Sequence, residues 1–264
     1  LEEWMQQPGQ TKEWLEKLRD EWLSQLRAIT TEDHRIIEAR TKLTDFHWAV
    51  ANRQGAKDPR WWSRFLETAE PLSRLDPENT TLLWNMAAAN AALVVSDSAY
   101  HTEVVTCYAM AATADPHEAR TYLLWTNYLL TQAPTRGRDD ALAPSGTLTL
   151  EEANAYIVDV AEAYKAEESA PPQAERALAR LNARDVYRLG INDNPDSVRL
   201  RVALAEYEYF SGNQARGEDE FRRAMAIETK TAEDIHTLAA CSFRTGGVVT
   251  SDRADEALAL WETV

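Results

Sequence analysis

Four arginines, Arg176, Arg180, Arg184 and Arg188, recur at every fourth residue, the clearest charge pattern in an otherwise acidic chain. On a single helix this spacing makes a basic stripe that drifts slowly around the axis, away from Leu178 and Leu181. Two uses fit it. The guanidinium forks could hold an acidic peptide or a phosphate, or they could pair with Glu162, Glu167 or Glu168 on the preceding helix. Acids also cluster, as Asp139-Asp140 and Glu218-Asp219-Glu220. Such neighbours lie on a loop or helix surface, whereas acid–base catalysis needs two carboxylates facing one cleft. The histidines, His34, His47, His101, His117 and His236, lack the three- or four-residue pairing and the partner cysteines of a metal site. No glycine-rich phosphate loop and no Gly-x-Ser-x-Gly elbow occurs. The expectation is therefore a protein that is not an enzyme, with no catalytic residue, no metal and no cofactor.

The elements that must position these residues are helical. With 264 residues, 44% of them apolar, the chain can bury a continuous core. Glycine (9) and proline (10) are sparse while Ala, Leu, Glu and Arg abound, which favours helix along most of the length. A net charge of −15 repels a phosphate backbone at long range, so protein partners are expected and nucleic acid is not. Cys107 and Cys241 sit in apolar helical patterns and read as buried structural thiols. No apolar run approaches the ~20 residues that cross a bilayer, so no membrane insertion is expected. No leader pattern opens the chain, so a soluble, cytoplasmic protein is favoured, with a protein whose signal peptide has been removed as the alternative. The start at Leu1 and the stop at Val264 inside a helical pattern suggest a piece of something longer.

Caps and breakers divide the chain into about twelve helices. The first, near Thr11 to Ala28, carries Trp14, Leu15, Leu18, Trp22, Leu23 and Leu26 on one face. A second follows Thr30 and closes at Gly55. Asp58-Pro59, Asp76-Pro77 and Asp115-Pro116 each place a capping acid before a proline, as a helix start prefers. Trp61 and Trp62 cannot both face inward, which makes one of them a candidate exposed anchor. Pro134, Gly137, Pro144 and Gly146 break the pattern over Ala133–Leu148. Thr149 and Glu152 form a capping box for a helix to about Glu168, and Pro171-Pro172 precedes a helix ending near Gly190. Gly246-Gly247 separates a final pair, Ala232–Arg244 and Ser251–Val264.

The most ordered stretch is Val198 to Ala224, where Leu204-Ala205, Gly212, Gly217, Phe221 and Ala224 have the offsets of a helix-turn-helix unit. Gly212 would end the first helix with a positive φ, and Gly217 would let the second approach closely. This spacing resembles the tetratricopeptide repeat family. Val104, Tyr108, Ala111 and Pro116, then Ala183, Tyr187, Gly190 and Pro195, match that family's second helix. Arg201 and Glu208 depart from it, standing where a large apolar residue and an aromatic are usual.

The resemblance implies an all-α fold: a right-handed α-solenoid of stacked antiparallel helix pairs. Residues 1–75 form N-terminal helices, a cap or a divergent repeat; 76–132 hold helix pairs; 133–148 are a long loop or insertion; 149–264 resume the pairs and are cut off by the chain end. In the family the first helices line a concave groove. Here that phase selects Thr81, Trp84 and Ala88, then Arg120, Leu123 and Asn127, then Arg199, Val202 and Glu206. The expected function is a non-enzymatic scaffold binding a peptide or protein surface in this groove, with another domain of the same parent chain among its partners. An all-helical glycosidase with an acidic, Trp-lined cleft is the alternative, and self-association a third reading.

Overall fold

The computed structural model describes residues 35–136, 148–228 and 230–249, together with residues 17, 20, 24, 255 and 259–262. Among them every regular element is an α-helix. These are α1 (Arg35–Gln54), α2 (Arg60–Leu75), α3 (Thr80–Leu93), α4 (Tyr100–Ala114), α5 (Ala119–Arg136), α6 (Leu150–Lys165), α7 (Pro172–Leu178), α8 (Ala183–Asp193), α9 (Val198–Phe210), α10 (Gln214–Met225) and α11 (Ala232–Val249). No described helix is long and apolar enough to cross a membrane. The first expected helix, with its Trp14 and Trp22, lies almost wholly outside the described residues, as do Asp139-Asp140 and most of Ser251–Val264. Of that first helix Lys17, Asp20 and Ser24 are helical and exposed.

One kind of turn recurs. At 76–79, 115–118 and 194–197 the first residue's N–H closes the preceding helix on the carbonyls of Leu72, Ala111 and Gly190, and its own carbonyl accepts from the fourth residue's N–H at 3.0–3.2 Å. The proline takes the second place, where it has no N–H to satisfy. These dipeptides therefore start a turn and not a helix. The next helix is capped at the turn's end, by Asn79 for α3 and Ser197 for α9. Asp58 comes closest to the expected start, since its carboxylate accepts from Arg60 N at 3.2 Å.

The chain forms two compact units, residues 1–107 and 108–264, the division falling inside α4. In the first, α1 packs on α2 and α2 on α3. Phe46, Val50, Ala51 and Trp61 make its core, with Trp62 half-buried against it. Trp62 is no exposed anchor: it lies edge-on to Trp48 and crowds Gly55, where an added Cβ would lie 2.3 Å from its Nε1. Cys107 is buried and free, its Sγ receiving Asn90 Nδ2 at 3.8 Å.

In the second unit α9 packs on α10 as the sequence predicts. Gly212 has φ +81°, and an added Cβ on Gly217 would stand 2.8 Å from the Tyr209 ring. Val198, Val202, Ala205, Tyr209, Phe221 and Ala224 share a core with Leu238 and Cys241 of α11. Helix α5 pairs with α8, far along the chain, while α6 and α7 pair with each other in between. The α5–α8 contact is close because Gly190 leaves room for Tyr122: a Cβ there would lie 2.7 Å from the ring. Further, α9 packs against α5, α8 and α11.

Three boundaries differ from expectation. Helix α5 runs through Pro134 to Arg136. Helix α11 continues through Gly246-Gly247 to Val249, since glycine permits a break without imposing one. The expected helix from Pro172 to Gly190 is two helices, α7 and α8, because Asn182 and Asp185 form a reciprocal capping box that begins a new one.

Candidate functional site

The break between α7 and α8 divides the arginine stripe. Arg176 sits on α7, Arg180 in the turn after it, and Arg184 and Arg188 on α8. Arg184 does not reach Glu162, Glu167 or Glu168. It turns inward to Glu208 of α9, with Nε–Oε1 at 2.6 Å and Nη2–Oε2 at 2.9 Å. Glu208 is only 2% exposed, and the Arg184 guanidinium also lies 5.7 Å from the Tyr207 ring centre. The second departure from the repeat pattern is compensated similarly: Arg201 donates to the Pro195 carbonyl at 2.9 Å and to Glu220 at 3.3 Å. Both charged substitutions thus tie α9 to its neighbours.

Arg176 and Arg180 behave differently. With Leu148, Tyr156, Gln173 and Ala177 they line an open cleft of about 470 Å³ beside the α6–α7 pair. Gln173 Nε2 donates to Tyr156 Oη at 2.7 Å, and Arg176 Nε donates to the Pro172 carbonyl at 2.9 Å. Arg188 is exposed on α8.

On the face selected by the repeat phase, α5 presents Arg120 and Asn127 to solvent with Leu123 half-buried between them. Helix α9 presents Arg199, while Val202 is 2% exposed and belongs to the core, so it lines no groove. Two ion pairs bridge to α11: Arg199 meets Glu233, and Glu206 meets Arg244, whose Nε lies 2.8 Å from Oε1. In the first unit Thr81 and Ala88 are exposed and Trp84 is half-buried.

Several other chemistry-bearing groups are engaged in structure. Glu218 accepts from Tyr209 Oη at 3.0 Å and pairs with Arg222 at 2.7 Å, and Glu220 and Asp219 both pair with Arg223. His47 is buried, with Nδ1 3.1 Å from Thr68 Oγ1. His117 Nδ1 donates to the Asp193 carbonyl at 2.8 Å, and Asn194 Nδ2 reaches the Pro116 carbonyl at 2.9 Å, so two of the recurring turns are bonded to each other. Tyr122 Oη donates to Asp193 Oδ2 at 2.6 Å in the same cluster. Burial, then that carboxylate, holds the Tyr122 phenol well above the ordinary tyrosine range. Burial likewise raises Tyr187, Tyr207 and the Cys107 thiol. Among the described residues no group of three His, Cys, Asp or Glu is arranged to hold a metal.

Sequence reasoning did not anticipate the Tyr156–Gln173 pair or the His117–Asn194 junction. The first joins helices of one hairpin, and only the Pro171-Pro172 punctuation hinted that their faces meet. The second joins turns far apart in sequence, for which periodicity carries no signal. No protein-family model matches the chain, and no curated protein matches it.

Proposed function

We propose that this chain is a non-enzymatic interaction module, a tetratricopeptide-like right-handed superhelix that holds a peptide or protein surface along its first helices. One observation carries the reading. The residues of the repeat pattern, Leu204, Ala205, Gly217, Phe221 and Ala224, are interior, while Arg120 and Asn127 project from the adjoining first helix. Helices α5, α9 and α11 lie side by side, which is how stacked first helices build a continuous ligand face. Arginine and asparagine there offer directed donors to a peptide carboxylate or backbone carbonyl.

The test is capture from source-cell extract by the parent protein and by a variant carrying Arg120→Ala, Asn127→Ala and Arg199→Ala. Arg199 and Glu233 are both exposed, so breaking their pair should leave the fold intact. A protein retained by the parent and lost by the equally helical variant supports the reading. Equal capture by both removes the face from consideration.

A further inference from the structure

We propose a second binding site in the cleft beside α6 and α7, selective for peptide segments bearing Asp or Glu carboxylates. Among the described residues Leu148, Tyr156, Gln173, Arg176, Ala177 and Arg180 line it, and none of these is acidic. The chain holds 43 acidic residues against 28 Lys and Arg, so a cavity whose described walls carry two arginines and no acid stands apart from that composition.

The hydrogen bonds define what the cleft offers. Gln173 satisfies the Tyr156 oxygen, which leaves the phenol proton to be donated elsewhere. Arg176 spends only Nε on its own helix, so its guanidinium is restrained while both terminal nitrogens stay available. Among the described residues neither Arg176 nor Arg180 meets a carboxylate. By contrast Arg184, Arg199, Arg201, Arg222, Arg223 and Arg244 of the same unit each do. The unspent hydrogen-bonding groups are thus predominantly donors, two of them on cations.

The walls narrow the ligand further. A guanidinium fork matches a planar carboxylate in bidentate fashion. Leu148, Ala177 and the Tyr156 ring supply apolar surface that a bare inorganic anion would not use, but that residues flanking a carboxylate would cover. The volume, about 470 Å³, lies within the range of small-ligand sites. The net charge of −15 repels a long polyanion, whereas a short segment with one or two carboxylates meets the local field of the arginines.

The experiment is fluorescence anisotropy at low salt with the whole protein and a labelled peptide, Ala-Leu-Asp-Asp-Leu-Glu-Ala. Its amide analogue, with Asn and Gln at the acidic positions, is run beside it. Binding by the parent, weakened about tenfold or more in Arg176→Gln/Arg180→Gln and unchanged in Arg188→Gln, is the expected result. Circular dichroism of each variant should be unaltered, since both cleft arginines are exposed. Four outcomes would overturn the site: no binding at millimolar protein, equal binding of the amide analogue, equal loss in Arg188→Gln, or displacement by inorganic phosphate as effective as by unlabelled peptide. Loss of the peptide in the triple variant at Arg120, Asn127 and Arg199, with binding kept in Arg176→Gln/Arg180→Gln, would place it on the first-helix face and likewise overturn the site.

Discussion

Glu208 is a carboxylate only 2% exposed, and among the described residues Arg184 is the cation that compensates it. Removing one member of a buried ion pair leaves an uncompensated charge, at a cost of about 3–5 kcal/mol. Arg184→Leu should therefore lower the urea midpoint sharply. Adding Glu208→Leu should restore most of the loss; a double variant no better than the single one would show that the pair is not what matters there. Glycines provide a contrast. Gly190→Ala drives a Cβ against the buried Tyr122 ring and should cost about 1–3 kcal/mol by overpacking. Gly212→Ala meets no atom within 4 Å, and its cost, about 1–2 kcal/mol, comes from the positive φ alone. Gly212→Asn should recover part of that loss, whereas Gly190→Asn should recover none, and thermal melts of the four variants would decide.

Among elements, the bonded turns at 115–118 and 193–194 test how the second unit is joined. Asn194 spans from the Gly190 carbonyl to the Pro116 carbonyl, and His117 returns a bond to Asp193. Asn194→Ala should cost about 1–2 kcal/mol, and a double-mutant cycle with His117→Ala should show coupling, because the two bonds hold the same pair of turns. Fully additive losses would mean that the turns hold their positions independently. The legibility of these elements in the sequence was uneven for physical reasons. Local chemistry was readable: Thr149 and Glu152 form their capping box, Gly212 takes a positive φ, and Val104, Tyr108, Ala111, Ala183, Tyr187 and Gly190 are all buried. The α7–α8 break was missed because the regular arginine spacing suggested continuity, although Asn182 and Asp185 have the spacing of a capping box. The α5–α8 pairing was beyond reach, since helical periodicity reports a buried stripe without naming its partner. The cleft at Arg176 and Arg180 depends on both, and so could not be drawn from the stripe.

At the scale of the whole molecule, several buried acids titrate late. Burial keeps Tyr122, Tyr187, Tyr207 and Cys107 protonated in the folded chain at pH values where the unfolded chain releases those protons. The stability they contribute is complete below the unfolded-chain values and drains away as pH rises through and past them. Urea midpoints should therefore be level near neutrality and fall above about pH 9. Tyr122→Phe should lose a hydrogen bond at pH 7 yet flatten the alkaline decline; an unchanged slope would exclude the phenol as a contributor.

The pairing of α5 with α8 also bears on the order of assembly. Helices α9 and α10 need close only the turn at 211–213, whereas α5 and α8 must meet across residues 137–182. If that stretch behaves as flexible chain, loop closure costs about 2–3 kcal/mol more for the second pair, less whatever the α6–α7 hairpin saves by forming first. Pulsed hydrogen exchange during refolding should then protect α9 and α10 before α5, and the slowest amides should be those around Tyr122 and Gly190. The last contact to form in this unit would be the one that its smallest residue makes possible.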